Sequence, residues 1–227
     1  MKTILVVDDE QDIIQLIRYN LEREGFRVES ASDGNKALSK ANDVKPDVIL
    51  LDIMLPGKDG YEVIKSLNQN ERTANIPVIF LTAKSAEFDE VLGLELGADD
   101  YIVKPISPRK LISRIRAVLR RYEGVKNEEV KSIDFGKIVI DRESYLVKIG
   151  GEKVFFPRKE FEILHYLASH EGKVISRETL LSRVWGSDVY VGDRTVDVHI
   201  RKIREKLGKH ADMIETIKGV GYKFKAE

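Results

Sequence analysis

Asp47-Val-Ile-Leu-Leu-Asp52-Ile-Met-Leu-Pro56-Gly57-Lys-Asp-Gly60 decides how the first half of this chain folds. Its apolar run, 48–51, has the pattern of a strand buried on both faces, and it stops at a carboxylate followed by Pro and Gly punctuation. Strand-like runs also occur at 3–7, 27–30, 77–81 and 100–103. Helical patterns fill the intervals at about 10–24, 34–42, 60–69, 86–96 and 108–121, with Ile13, Ile17 and Leu21 repeating every four residues. Ser107-Pro108 supplies an N-cap and a first-turn proline for the last of these. Five strands, each followed by a helix, predict a five-stranded parallel sheet, doubly wound and covered on both faces.

What stands at the strand ends then carries the chemistry. The first strand ends in Asp8-Asp9, the third in Asp52, the fourth in Thr82 and the fifth in Lys104. Carboxyl ends of parallel strands share one edge, where open α/β sheets bind ligands. Three carboxylates, a hydroxyl and an ammonium therefore converge. A single Asp at a strand end is ordinarily a cap or a solvated turn residue, but joint occurrence at four strand ends favours a site. Three crowded acids repel one another unless a cation neutralises them, and an oxygen-only donor set suits Mg²⁺. One carboxylate then becomes a nucleophile toward phosphoryl, with Lys104 and Thr82 placed to hold phosphoryl oxygens.

Composition bounds the setting. The 227 residues are 42% hydrophobic and 33% charged, within the range of one or two soluble globular domains. No apolar run approaches the ~18 residues of a spanning helix, and Met1-Lys2 leads directly into a strand with no leader pattern. The chain has no cysteine, which excludes disulfides and thiolate metal sites and fits a reducing compartment. A cytoplasmic protein is predicted. Net charge is zero, with 18 basic and 20 acidic residues through Tyr122 and 20 and 18 beyond it, so only local clusters can point to a charged partner.

In Val6-Val-Asp8-Asp9-Glu10, Leu51-Asp52-Ile-Met54-Leu-Pro56-Gly57, Leu81-Thr82-Ala83 and Gly97-Ala-Asp-Asp-Tyr101-Ile-Val-Lys104-Pro105 the chain resembles receiver domains of bacterial two-component response regulators. The resemblance implies a flavodoxin-like fold and a phosphorelay. Asp52 would accept phosphoryl from a sensor histidine kinase, and Asp9 and Asp52 would bind Mg²⁺ directly. Asp8 would bind it through water and Met54 through its backbone carbonyl. Thr82 and Lys104 would contact the phosphoryl group, Tyr101 would turn inward as Thr82 moves, and Lys104-Pro105 would be cis. Ile106 departs from the family's usual Phe but stays apolar.

Acidic residues Glu90, Glu95, Asp99 and Asp100 precede basic Lys110, Arg114 and Arg116 on the elements at 86–96, 100–103 and 108–121. By resemblance this face forms a homodimer on activation, pairing Asp100 with Arg114 and Glu95 with Arg116 across the interface. Glu90 and Lys110 form a third pair of reversed polarity, which would disfavour mixed dimers with sibling regulators.

Residues 122–131 are polar and aperiodic and read as a linker between a receiver at 1–121 and a second domain at 132–227. Short strands at 133–135, 137–140, 146–149 and 153–156 precede helices at about 158–169, 177–184 and 194–207 and a Gly-tipped hairpin at the end. In the last helix Val196, Ile200, Ile203 and Leu207 form an apolar stripe. Thr195, His199, Lys202 and Lys206 repeat at the same spacings on another, polar-basic face, and residues 194–206 hold five basic and two acidic side chains. That pattern suits insertion into the DNA major groove.

Helix, loop, helix and hairpin make an α+β winged helix-turn-helix. The segments Leu-Leu-Ser-Arg-Val-Trp185-Gly186, Arg194-Thr-Val-Asp197-Val-His199-Ile-Arg201 and Lys218-Gly-Val-Gly-Tyr222-Lys-Phe resemble the DNA-binding domain of the OmpR/PhoB family. The resemblance implies that Arg194, Thr195, His199, Arg201 and Arg204 touch phosphates and groove walls. Lys202 would read a base, Lys218 would enter the minor groove, and the loop 186–193 would contact RNA polymerase. The sequence reading is thus a DNA-binding transcriptional regulator switched by phosphorylation. Two other readings stand beside it, a constitutive DNA-binding protein with a silent receiver and a Mg²⁺-dependent aspartyl-phosphate hydrolase.

Overall fold

The computed structural model describes residues 1–82, 92–124, 132–186 and 194–226. Two compact units divide the chain, Met1–Val125 and Lys126–Glu227.

In the first unit β1 (Thr3–Val7), β2 (Arg27–Ala31), β3 (Val48–Asp52), β4 (Val78–Thr82) and β5 (Asp100–Val103) form one parallel sheet in the order β2-β1-β3-β4-β5. Helices α1 (Gln11–Arg23), α2 (Gly34–Val44), α3 (Gly60–Asn68) and α4 (Pro108–Gly124) cover it. Every residue of β3 and β4 is buried, as the unbroken apolar runs predict for strands covered on both faces. Ile14, Ile17 and Leu21 of α1 and Leu111, Ile115 and Val118 of α4 pack into one cluster with Ile4, Val6 and Leu50, and Ile106 lies partly buried against it.

The apolar runs stop one residue short of the strand ends. Asp52 and Thr82 are the last residues of their strands rather than the first of the turns. Helix α4 runs to Gly124, so the expected domain limit at 121 falls within its final turn. The expected linker lies mostly in 125–131, outside the described residues, as does much of the helix expected at 86–96.

The second unit opens with an antiparallel sheet of β6 (Ser132–Asp134), β7 (Ile138–Asp141), β8 (Leu146–Ile149) and β9 (Glu152–Val154). Then come α5 (Arg158–Ala168), β10 (Val174–Ser176), α6 (Arg177–Trp185), α7 (Arg194–Leu207) and a 3-10 turn at Gly208–Met213. Strands β11 (Ile214–Ile217) and β12 (Gly221–Phe224) close the unit as an antiparallel hairpin, and β12 also pairs with β10. A three-residue strand is too short to show alternation, so β10 has no sequence signature. It nevertheless fixes the wing: a Cβ at Gly221 would lie 2.0 Å from the Ile175 carbonyl oxygen, so only glycine lets the strands approach.

Candidate functional site

The parallel register brings the strand ends together. Asp52 lies opposite Leu81 and Thr82 opposite Val103, while Lys104 N–H donates to the Thr82 carbonyl at 2.7 Å. Oxygens of Asp8, Asp9 and Asp52 all fall within 4.8 Å of one another. Asp8 and Asp52 are buried and Asp9 is exposed, so the cluster opens to solvent on one side. Lys104 Nζ lies 2.7 Å from Asp52 Oδ2, 3.0 Å from Asp8 Oδ2 and 3.6 Å from Glu10 Oε1. Thr82 is buried and Tyr101 half-buried. The Lys104-Pro105 bond is cis.

Burial pushes the Asp8 carboxyl above the usual range, against the Glu10 N–H and Lys104 that stabilise its charge. Burial also works against the Lys104 ammonium, but hydrogen bonds to Asp52 and Asp8 outweigh it and raise its pKa. The acids thus lean on one internal cation. Oxygen donors of this number and hardness fit a divalent ion such as Mg²⁺.

The loop after Asp52 is held from two directions. Met54 N–H donates to Asp52 Oδ1 at 3.2 Å, and α3 starts with a capping box in which Asp59 and Glu62 satisfy each other's backbone N–H. A Cβ at Gly60 would lie 2.5 Å from the Asp52 carbonyl oxygen, so this glycine lets the helix seat directly on the strand end. Glu10 joins the site through Lys104, and its sequence signal is its place as third in the acidic run Asp8-Asp9-Glu10.

On the β5–α4 face the structure corrects the expected pairing surface. Asp99 is buried, accepting from Val78 N–H at 3.0 Å and from the Tyr122 hydroxyl at 3.0 and 3.1 Å. Spacing could not show this, because the residue turns inward at the start of β5. Asp100 is buried beneath Arg114, 3.2 Å away within the same chain, and burial raises its pKa despite that cation. Arg116 pairs with Glu24 of α1 at 2.5 Å. Lys110 is exposed and Glu95 half-buried, while Glu90 lies outside the described residues.

Helix α7 buries Val196, Ile200, Ile203 and Leu207, as the apolar stripe predicts. Thr195 and His199 are buried as well, correcting their expected place on the groove face. The His199 ring lies 5.3 Å from that of Trp185 at the end of α6, so the helix is packed over a wider arc than one stripe. Lys206 reaches Glu160 of α5 at 2.6 Å and lies over the Phe156 ring. Arg204 donates to the Ile214 carbonyl at 2.6 Å and to Thr216 Oγ1 at 2.8 Å, which commits it to the wing. Arg194 and Arg201 are exposed, Lys202 is half-buried, and Lys218 is exposed in the turn between β11 and β12. The expected polymerase loop lies, apart from Gly186, outside the described residues.

A parallel sheet with an acidic cluster at its carboxyl edge, followed by a winged helix, defines a response regulator. Consistent with this, residues 4–116 match the response regulator receiver domain family, and residues 151–224 match the C-terminal domain of transcriptional regulatory proteins. The chain is 46% identical over 225 residues to the phosphate regulon transcriptional regulatory protein PhoB of Escherichia coli, covering 98% of this chain and 97% of that one. It is 47% identical over 233 residues to the alkaline phosphatase synthesis transcriptional regulatory protein PhoP of Bacillus subtilis, covering 98% and 96%. Among solved structures, a RitR mutant superposes over the whole of both chains with a TM-score of 0.80 at 27% identity. A Francisella receiver domain matches 54% of this chain and 99% of its own at 0.51 and 36% identity. The chain belongs to the OmpR/PhoB family of two-component response regulators. It therefore carries a receiver and a DNA-binding domain and acts in transcription regulation, and no helix among its described residues is long and apolar enough to cross a membrane.

Proposed function

We propose that Asp52 is the phosphoacceptor and that its phosphorylation switches the DNA-binding domain. The observation that carries this reading is the position of Lys104, whose ammonium lies 2.7 Å from Asp52 beside Asp8. An Asp52 oxygen attacks the phosphorus of a sensor kinase's phosphohistidine, the P–N bond breaks, and an acyl phosphate forms. Lys104 and Thr82 hold the phosphoryl oxygens. Asp8, Asp9, Asp52 and the Met54 carbonyl would hold Mg²⁺, which would supply charge neutralisation between the acids and the incoming phosphoryl group. Tyr101 follows Thr82 inward, and this shifts the receiver toward a dimerising state.

Dimerisation then uses the β5–α4 face. Because Arg114 and Arg116 hold partners within the chain, the cross-subunit pairs of Asp100 with Arg114 and Glu95 with Arg116 form by exchanging those partners. Lys110 and Glu90 supply the pair of reversed polarity, favouring a second copy of this chain. Two joined DNA modules bind paired half-sites with raised effective concentration. Arg194, Arg201 and Lys218 contact phosphate or groove, Lys202 reads a base, and the 186–193 loop meets RNA polymerase, in the cytoplasm. Self-phosphorylation and self-dephosphorylation are the receiver's only chemistry.

The test is intact-mass and peptide analysis after incubation with acetyl phosphate and Mg²⁺. One phosphoryl adduct is expected on the peptide carrying Asp52 and none in Asp52→Ala. Continuous turnover of acetyl phosphate with no effect on DNA binding would favour a hydrolase instead.

A further inference from the structure

The acid in the first turn of the DNA-reading helix has no place in the contacts proposed above. Asp197 lies in the first turn of α7 among exposed cations, and its side chain is 45% exposed. A carboxylate there repels any DNA phosphate that comes within the roughly 8 Å over which charge acts at physiological salt.

Its contacts show what it does instead. Asp197 Oδ1 accepts from Arg177 Nε at 2.7 Å and from the Tyr222 hydroxyl at 2.6 Å. Arg177 Nη2 also reaches the Tyr222 oxygen at 3.4 Å, and its guanidinium lies over the Tyr222 ring, 4.9 Å from the centroid. Three elements meet at this one oxygen: the start of α6, the recognition helix α7 and wing strand β12. From the other side Arg204 of α7 faces the same ring at 5.8 Å while gripping the Ile214 carbonyl of β11. Burial, reinforced by the bond to Asp197, pushes the Tyr222 hydroxyl up to about 12, so it remains a donor at physiological pH.

We propose that Asp197 is a positioning residue for DNA recognition, holding Arg177 and the Tyr222 hydroxyl on one oxygen so that the wing and its Lys218 stand at a fixed angle to the recognition helix. Arg204 holds β11 through the Ile214 carbonyl and Thr216 Oγ1, and the Asp197 contact holds the other strand of the wing. Residues 218–220 are exposed, and the hairpin's position is set at its root, where Gly221 touches β10 and Tyr222 touches Asp197. This inference rests on the placement of α7 and Lys218 on DNA proposed above.

The sign of the effect separates positioning from charge. If Asp197 acted only through its charge, Asp197→Asn would tighten DNA binding and leave the wing contact intact. Positioning requires the reverse. The measurement uses the full chain with acetyl phosphate and Mg²⁺, on a duplex enriched from a randomised library by the wild type, with affinity read by anisotropy across a salt series and melting followed for each variant. Asp197→Asn is expected to bind about tenfold more weakly, the scale of one charge-assisted hydrogen bond, with a log–log salt slope shallower by about one. Lys218→Ala is expected to weaken the wild type and to change nothing in the Asp197→Asn background. Tyr222→Phe, which loses only the hydroxyl, is expected to erase the Lys218 effect in the same way, and it carries the test should Asp197→Asn unfold. Unchanged or tighter binding by Asp197→Asn, or an equal cost of Lys218→Ala in both backgrounds, overturns the proposal. A wild type that enriches no duplex would instead sink the DNA reading on which it rests.

Discussion

The acidic edge of the receiver and the basic face of α7 are both charged surfaces built from a few side chains, and they differ in what their sequence pattern reveals. At the receiver edge the partners come from different strands, and topology forces them together. Asp8, Asp52, Thr82 and Lys104 are spread over nearly a hundred residues, yet every strand of a parallel sheet delivers its carboxyl end to one side. On α7 the partners are neighbours on one helix, and spacing alone decides nothing about which arc is covered. Two adjacent stripes were separated by the sequence into core and groove, whereas the structure buries Thr195 and His199 along with the apolar stripe. Convergence across a sheet is a strong constraint; periodicity along a helix is a weak one once neighbours pack on more than one side.

Lys104→Met strikes the strongest link in the receiver edge. It removes the ammonium from between Asp52 and Asp8, and self-phosphorylation from acetyl phosphate should slow by about 10²- to 10³-fold, the usual cost of losing one donor to developing charge. A change under tenfold would mean that convergence there is structural only.

Lys206→Met probes the opposite site. Spacing put Lys206 beside the DNA-facing residues, but its partner is the buried Glu160. Stripping that partner should cost the second unit about 3 kcal/mol, measured by denaturation monitored through Trp185, the chain's one tryptophan. Burial holds the Glu160 pKa above its ordinary value. Its ionised form is therefore disfavoured in the fold, and the loss should shrink as pH falls and Glu160 takes up a proton.

Asp8→Asn should do the reverse for the receiver. A carboxyl whose folded pKa is raised favours the fold below its unfolded pKa and loses that advantage as pH rises through the raised value. At neutral pH without metal, replacing it with an amide should stabilise the receiver, while the added stabilisation by Mg²⁺ falls. The gain should vanish in acid, where Asp8 is protonated in both states. Thermal melts across pH with and without Mg²⁺ read both effects.

The smallest effect belongs to Thr195→Val. A buried side chain that touches no phosphate should tolerate the change with less than about a twofold loss in DNA affinity. Loss of a phosphate contact would be larger and would reduce the salt slope.

The legible part of the fold was set by patterns with few physical solutions. Continuous apolar runs with helices between them leave little choice but the parallel sheet, and the acids, hydroxyl and ammonium at their ends follow from that sheet. The element limits were less legible: α4 carries its helix to Gly124, past the expected limit at 121, because nothing in Tyr122-Glu-Gly stops it earlier. The inward turn of Asp99 and the intrachain capture of Arg114 and Arg116 depend on Tyr122, Asp100 and Glu24, tertiary partners with no fixed spacing from them. The role of Asp197 has no sequence signature for a similar reason, since an acid in the first turn of a helix is ordinary dipole chemistry and Tyr222 and Arg177 meet on it only in the fold.

The central claim is that Asp52 controls the DNA-binding half of the chain, and operator affinity of the full chain with and without acetyl phosphate and Mg²⁺ tests it most directly. Phosphodonor is expected to tighten wild-type binding by at least about tenfold through dimer formation, while Asp52→Ala stays at the unphosphorylated value under both conditions. Equal affinity of the wild type in the two conditions would contradict it.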